Sequence, residues 1–581
     1  MVVGALKQLD QRLHVIRNAE PSSLQTRIVL FAAVVCGIFM TTVAMRQAGP
    51  TVHPDEWGFL SNGQVLIGHT EAPIPTGSFY PAGYGLVTGL GALVTGSLPG
   101  SYRFALLANV VLAVLTAWFA GRLAVRGFGA TKLMGRLVSA LVFVLPGTIV
   151  TAMFAWPETA SRLAFLVFIS LVMTVAKNRS AIQVVGLGLF TGLMPALHGR
   201  FTLLIPVVGS VFLWWGIQRL ISRRIALLAL FTTAVGYEGS RLLNQFVKRS
   251  LYEDSYDQES RLLRRLFDPT VWPALIRTMA GQTWYLTATS CGLIGVGVTF
   301  AVWRIRSDGG ARTVSSDSQR LGLLVLVVSS LLVIFTGGLQ LLYGNRGDHL
   351  IYGRYVEILV PALLVVACAG IEKAFVLAQR AWLLTGLFVG ALSLVYVLID
   401  GGDGVKGGYS RNDIVFPNIA GTDIVRYLVS PSLVNFGVVF VLAALLLWTV
   451  SRRHGTWSLV ALTVALAVGS MYSGSRSILT RTDDLQAVRP SLVIVQEPGT
   501  QLVGFDMGVR NDRSYYYLRY KLHPIKIVRF DISGPDAVIP AEYSCVYGTP
   551  DKPPSDGQWT IVADEVVLQR VLFQRVGTTQ C

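Results

Sequence analysis

The chain has 581 residues, of which 52% are hydrophobic and only 14% are charged, and its formal net charge is +16. A soluble globular protein carries about a quarter charged residues, so this composition excludes an ordinary soluble domain. Much of the positive charge lies between long apolar runs, where Lys and Arg mark the cytoplasmic loops of membrane proteins. The charge therefore does not indicate nucleic-acid binding.

The first apolar run, residues 28–45, follows a basic segment at residues 1–27. A run of about 18 or more apolar residues predicts a helix that crosses the membrane. This run is longer than a signal-peptide core, and no small-residue cleavage pattern follows it. We therefore expect a retained anchor with residues 1–27 in the cytoplasm.

Further apolar runs continue to residue 472, and among them are residues 137–155 and 225–235. Together they predict about thirteen transmembrane helices in a multi-pass protein of the cell membrane, with the C-terminus on the outer side. Two predicted outer loops break the charge rule, since residues 238–279 hold many Arg and Lys and residues 343–355 hold Arg346 and Arg354. These cations require another explanation.

The first loop, residues 46–103, is predicted to lie outside and carries the adjacent acids Asp55 and Glu56. Acidic residues in the first turn of a helix offset its dipole, so the pair alone has an ordinary structural explanation. The loop continues with Tyr80-Pro81 and a short Gly-rich apolar stretch at residues 86–94. That stretch is typical of a helix that lies along the membrane surface.

This arrangement resembles the GT-C superfamily of membrane glycosyltransferases, which includes protein O-mannosyltransferases, lipid A aminoarabinose transferases and actinobacterial arabinosyl- and mannosyltransferases. The matching residues are Asp55 and Glu56, then Tyr80-Pro81, then Arg103. The resemblance implies an all-α polytopic GT-C-like fold with a small extracytoplasmic domain. It also implies inverting transfer of a sugar from a polyprenyl-phosphate donor to an envelope glycan, glycolipid or protein.

Within that hypothesis Asp55 is the general base that takes the proton of an acceptor hydroxyl, with Glu56 beside it and Glu158 as an acidic partner. Cations in predicted outer loops fit the donor phosphate, because Arg holds phosphate through two parallel hydrogen bonds. These cations are His198, Arg200, Arg346 and Arg354. The alternative is that they contact lipid headgroups or pair with Asp348 and Glu357.

No HExxH motif and no spaced Cys/His set predicts a metal site. A divalent cation held by Asp55 with Glu56 or Glu158 stays open. The sequence has no P-loop or Rossmann glycine fingerprint, so a nucleotide-sugar donor is not expected.

The tail, residues 473–581, is more polar and contains β-branched runs at 502–505, 525–530 and 560–562, with helical composition at 512–522. It predicts a small α/β domain outside the membrane. An oxidising compartment there predicts a disulfide between Cys545 and Cys581, whereas Cys36, Cys291 and Cys368 lie in apolar runs and are expected to be buried. The tyrosines of the helical segment either stack on sugar rings or form a packed face; they are Tyr515, Tyr516, Tyr517 and Tyr520.

Two alternative functions are compatible with the same features. A lipid-linked polysaccharide flippase or transporter would use cations for the lipid phosphate but would need no base at the membrane surface. A polysaccharide polymerase or ligase would work outside without requiring an acidic first loop.

Overall fold

The structure is a computed structural model, and its described residues run from 22 to 581 with gaps. They are residues 22–51, 55–69, 71, 74, 78–252, 262, 264–306, 314–342, 347–373, 376–400, 416–425, 435, 437–445, 456–479, 482, 487–508, 513–532, 534, 537–555, 557–566 and 569–581.

Helices dominate this part of the chain and form one bundle, followed by a small domain with a sheet. In chain order the bundle helices are α1 (Ser23–Arg46), α2 (Asp55–Leu66), α3 (Gly85–Thr95), α4 (Leu98–Phe128), α5 (Lys132–Val144), α6 (Pro146–Ala152), α7 (Glu158–Asn178), α8 (Ala181–Leu197), α9 (Leu204–Ile217), α10 (Arg223–Leu251), α11 (Trp272–Thr289), α12 (Leu293–Arg306), α13 (Val314–Leu341), α14 (Gly353–Val356), α15 (Val360–Lys373), α16 (Val376–Asp400), α17 (Ala420–Asp423) and α18 (Trp457–Gly474).

Within the described residues, seven helices are long and apolar enough to cross a membrane, and nine are if each of two bent pairs is one span. Three shorter apolar helices, such as α8, add to the apolar bundle. The prediction of a polytopic all-α membrane protein is confirmed. The predicted number of about thirteen spans is larger than the seven to nine candidates within the described residues, where several apolar runs form short or bent helices.

One of these runs, residues 137–155, was expected to form a single span. The structure instead has two helices, α5 and α6, that meet at an angle of 53°. Pro146 is the first residue of α6, and proline lacks the N–H that would continue the hydrogen bonds of α5. The turn that follows α6 brings residues 153–156 to the candidate site.

The predicted basic outer loop, residues 238–279, is also corrected. Helix α10 continues through this region to Leu251, because its far half packs on the first loop through Val247 and Leu251. Tyr252, just after the helix, donates a hydrogen bond to Asn62 Oδ1 at 2.8 Å. Arg241 lies on the exposed face of α10 and pairs with Glu238. Some of the cations that break the charge rule are thus the solvated face of a helix.

The C-terminal α/β domain is confirmed. Its five strands are β1 (Leu502–Asp506), β2 (Lys526–Phe530), β3 (Cys545–Gly548), β4 (Trp559–Glu565) and β5 (Arg570–Arg575), and its helices are α19 (Pro490–Val495) and α20 (Arg513–Lys521). The strand order is β2-β1-β3-β5-β4. Strand β1 is parallel to β2 and β3, with Leu502 opposite Lys526, while β5 is antiparallel to its neighbours β3 and β4. Strands β3 and β5 were not predicted.

The predicted disulfide between Cys545 and Cys581 is present, and it ties the start of β3 to the end of the chain. Cys36, Cys291 and Cys368 are free and buried, as expected. The domain also packs against the membrane part, since one apolar cluster contains first-loop residues such as Trp57 together with Tyr516 and Tyr520 of α20.

Candidate active site

Asp55 is the first residue of α2. Its Oδ1 accepts a hydrogen bond from the Tyr80 hydroxyl at 2.9 Å, and its Oδ2 pairs with Nη1 of Arg354. The side chain of Asp55 is 23% exposed, so it remains accessible from outside the protein. Burial, followed by the negative charge of Asp55, raises the pKa of Tyr80 well above its usual value. Tyr80 therefore remains a neutral donor.

Arg354 lies in the short helix α14 and joins two carboxylates. Its Nε donates to Glu158 Oε1 while its Nη1 donates to Asp55 Oδ2. The guanidinium carbon lies 3.9 Å from the centroid of the Trp156 ring, in cation–π geometry. Arg354 is only 6% exposed, and the Trp156 ring and the two acids surround its guanidinium in this structure.

Glu158 is the first residue of α7, after the turn that holds Trp156. It is 2% exposed, and its second oxygen, Oε2, is buried without a hydrogen-bond partner among the described residues. Most buried polar atoms in folded proteins have a partner. The missing partner at Glu158 points to a site that a ligand or water completes.

Glu56 has a different environment from its neighbour. It is fully buried, and its two oxygens accept hydrogen bonds from the backbone N–H groups of Thr51 at 2.7 Å and Ala155 at 2.8 Å. Adjacent residues of a helix point in different directions, so only Asp55 of this pair faces Arg354. Glu56 instead ties the first loop to the turn before α7.

The turn at residues 153–156 is held by two more side chains. Gln47 donates to the carbonyl of Met153 at 2.9 Å, and Asn109 donates to the carbonyl of Phe154 at 2.8 Å. Together with Glu56, these bonds fix the turn that carries Trp156 and Glu158. The Trp156 ring and the Glu158 carboxylate, which both contact Arg354, are therefore preorganised.

Two of the other predicted cations, His198 and Arg200, lie near this centre. Arg200 is 7% exposed, its guanidinium carbon is 3.2 Å from the Tyr355 ring centroid, and its Nε is buried without a partner among the described residues. His198 accepts a weak hydrogen bond from the Arg200 N–H at 3.5 Å. Burial, followed by the charges of Arg200 and Arg354, lowers the pKa of His198 well below its usual value. His198 is therefore neutral at pH 7.

The two remaining predicted residues are Arg346 and Arg103. Arg346 is outside the described residues. Arg103, which matched the family pattern, is exposed on α4, and its charge acts on Tyr520 of the C-terminal domain. Burial raises the pKa of Tyr520 to about 12, and Arg103 opposes that rise.

Glu357, the alternative partner of Arg354, is paired with a different arginine. No role was predicted for that arginine. Arg162 of α7 pairs with Glu357 Oε2, and its Nη1 also donates to Thr151 Oγ1 at 2.7 Å. The Tyr285 hydroxyl donates to Glu357 Oε1. An arginine inside an apolar run was the available signal, because intramembrane charges are costly and have partners.

The described residues do not fit a divalent cation here. None of their His, Cys, Asp and Glu side chains form a group of three or more that could hold a metal ion. The positive charge between Asp55 and Glu158 is already supplied by Arg354, and both oxygens of Glu56 accept backbone N–H groups.

Comparisons with known proteins agree with this fold. No family model matches the chain, and no curated protein matches it by sequence. Two solved structures of ArnT from Cupriavidus metallidurans, one bound to undecaprenyl phosphate and one apo, are similar to it with 14% identity and a TM-score of 0.52. The match covers 95% of this chain and 99% and 98% of theirs.

A third structure, the oligosaccharyltransferase of Archaeoglobus fulgidus, matches with a TM-score of 0.40 and 10% identity over 90% of this chain and 69% of that one. That similarity is too low to carry an argument. The predicted resemblance is confirmed at the level of the fold, which this chain shares with ArnT.

Proposed function

We propose that this chain is an inverting glycosyltransferase that moves a sugar from a polyprenyl-phosphate donor to a cell-envelope glycan, glycolipid or protein. The observation that carries the proposal is the accessible Asp55 carboxylate bound to buried Arg354, at one end of a bundle with the fold of ArnT. One ArnT structure contains undecaprenyl phosphate, which supports a polyprenyl phosphate as the carrier. The loop charges support an outer location for this end.

In the proposed step, the oxygen of an acceptor hydroxyl attacks the anomeric carbon of the donor from the side opposite the phosphate. The new glycosidic bond forms as the bond between that carbon and the phosphate oxygen breaks. The hydroxyl proton passes to Asp55, and the polyprenyl phosphate leaves with the bonding electrons. A positioned general base of this kind contributes on the order of 10²–10⁴ in rate.

Both Asp55 oxygens are engaged in the described structure, so the base has to be released. An acceptor hydroxyl can replace the Tyr80 hydroxyl at Oδ1, since both are neutral O–H donors. Glu158 offers Arg354 a second anchor, so the guanidinium can turn toward a donor phosphate without losing all its partners. In this mechanism donor binding frees the base.

Arg200 supplies the second cation of the proposed phosphate site. Its position is fixed by the Tyr355 ring, while its Nε lacks a partner in the described part of the chain. Charged hydrogen bonds of Arg to phosphate would stabilise the negative charge that develops on the leaving group. His198 lies beside Arg200 and, being neutral, does not add a further positive charge to this site.

Deletion of the gene tests the function in the cell. The expected result is loss of one sugar from an envelope glycan, glycolipid or protein, with accumulation of a polyprenyl-phosphate sugar, both measured by mass spectrometry. The wild-type gene should restore the sugar and Asp55→Asn should not. As a matched control, Glu497→Gln changes an exposed carboxylate of the C-terminal domain and should restore it.

A flippase would give a different result. Its loss would leave the lipid-linked sugar on the cytoplasmic leaflet, and Asp55→Asn would complement like the wild-type gene. That outcome would reject the proposed transfer reaction.

A further inference from the structure

Helix α2, which begins at Asp55, is buried on every side. Each of the ten residues from Glu56 to Val65 is buried. The sequence of this helix is a poor helix former, because it contains Gly58 and Gly63 as well as Ser61 and Asn62. Isolated helices of about 12 residues are marginal in water even with good sequences. Helix α2, and with it the position of Asp55, therefore depends on the elements that cover it.

Part of that cover comes from the C-terminal domain, through aromatic contacts. The Trp57 ring lies 5.3 Å from the ring of Tyr516 and 6.5 Å from the ring of Tyr520, both on α20. Tyr520 also lies 6.1 Å from the Tyr102 ring of α4. Trp57 is two residues after Asp55, so these rings pack against the first turn of the helix.

A polar chain makes a second connection. Arg519 of α20 donates to Glu71 Oε1 at 2.6 Å, and the hydroxyl of Ser61, on α2, donates to Glu71 Oε2 at 3.1 Å. The side chains of Arg519 and Glu71 are 16% and 7% exposed. Because water screens such a buried ion pair only weakly, the pair contributes more to stability than an exposed one does. Glu71 thus links the middle of α2 to the C-terminal domain.

We propose that the C-terminal domain is a structural part of the transfer site, in which Arg519 and Glu71 are positioning residues that hold α2 and so aim Asp55. The assignment of Asp55 as the target rests on the proposed function; the connection itself does not. In this account α20 faces the first loop rather than an acceptor sugar.

The burial of the tyrosines agrees with that role. Tyr515 and Tyr516 are each 1% exposed, and Tyr517 and Tyr520 are 8% and 9% exposed. Stacking on a sugar requires an accessible ring face. The four tyrosines form the packed face that was the alternative to sugar binding.

Hydrogen exchange of the full chain in nanodiscs tests the connection without any turnover. Arg519→Ala should speed exchange of the α2 amides on the order of tenfold or more, because the charged hydrogen bond that connects Glu71 and Ser61 to α20 is lost. Exchange of β3 and β5 should stay slow, which shows that the domain is still folded. Lys526→Ala, at an exposed cation of the same domain, should leave α2 unchanged.

Glu71→Gln removes the negative charge of the same ion pair without changing a residue of the C-terminal domain. It provides a second test if the Arg519→Ala protein does not fold. It should speed α2 exchange in the same way. If α2 exchanges at the wild-type rate in the folded Arg519→Ala or Glu71→Gln protein, the C-terminal domain does not hold α2 and the proposal is wrong.

A turnover measurement extends the test to Asp55. With a synthetic polyprenyl-phosphate sugar, Arg519→Ala and Glu71→Gln should each lower kcat several-fold and leave the donor KM unchanged, and Arg519→Lys should lose less than Arg519→Ala. A rise in donor KM with constant kcat would instead make Arg519 and Glu71 donor-binding residues. If the wild-type protein transfers no sugar, the proposed function fails, while the exchange experiment still decides the connection.

Discussion

Two buried ion pairs join the same two segments of the bundle, and they differ in how completely they are satisfied. Helix α7 contributes Glu158 and Arg162, one turn apart, and the facing segment contributes Arg354 and Glu357. The pairs cross, since the acid of each segment binds the arginine of the other.

The Arg162–Glu357 pair is closed, in the sense that further protein groups form hydrogen bonds with both of its side chains. Arg162 also donates to the carbonyl of Gly147 and to Thr151, and Glu357 also accepts from Tyr285. The Arg354 centre is open by comparison, because Glu158 Oε2 lacks a partner within the described residues and Asp55 is partly exposed. We infer that the closed pair sets the spacing of the two segments, and that the open one is left available for substrate.

The largest effect expected from this difference is on folding. Arg162→Ala leaves Glu357 charged and unpaired in the protein interior, which should cost about 3–5 kcal/mol and sharply reduce the yield and Tm of purified protein. As a control, Arg241→Ala removes an ion pair whose side chains are about half exposed. Exposed pairs contribute about 0–1 kcal/mol, so its Tm should hardly change. Equal melting of the two variants would mean that the Arg162 pair is not a structural connection.

Arg354→Lys should lower activity more than stability. Lysine keeps the charge but cannot reach Asp55 and Glu158 through a planar fork. Loss of one charged hydrogen bond, about 1.5–3 kcal/mol, corresponds to a drop in kcat/KM on the order of 10–100-fold. The Tm should fall less than in Arg162→Ala. A variant with wild-type kcat/KM for the polyprenyl-phosphate donor would remove Arg354 from the site.

Glu56→Gln should have the smallest effect on the transfer rate. The amide offers one oxygen where the carboxylate accepts from both Thr51 and Ala155, so one backbone N–H loses its acceptor. We expect a loss of about 1–3 kcal/mol of stability, measured by thermal melting, and only a several-fold loss of kcat. An inactive Glu56→Gln protein with normal Tm would move the catalytic base by one residue.

The sequence predicted much of this arrangement, for reasons that are local. The apolar runs predicted the bundle, and the position of Asp55 after the first run, with Glu158 and Arg354 in later turns, indicated one site. The pairing of Arg354 with both Asp55 and Glu158 was not predicted, because the charge pattern assigned Arg354 to the donor phosphate, to lipid headgroups or to Asp348 and Glu357.

What the sequence did not predict depends on packing. The role of Glu56 follows from the two backbone N–H groups that donate to it, one of them 99 residues away in the chain. Sequence composition does not indicate such a contact. Helix α10 was expected to end in a loop because its far half is charged, yet burial of Val247 and Leu251 against the first loop keeps it helical. Strand β3 has only four residues, and β5 lacks a regular alternation of polar and apolar residues, so both were missed.

The most direct test of the account is turnover by Asp55→Asn. Purified protein in nanodiscs would be given a synthetic polyprenyl-phosphate sugar and an envelope acceptor, with donor binding measured in parallel. Asparagine keeps the shape of the side chain but cannot accept the proton, so the transfer rate should fall on the order of 10²-fold or more. Donor affinity should stay near that of the wild type. An Asp55→Asn protein that folds and keeps most of its turnover would contradict the assignment of Asp55 as the base.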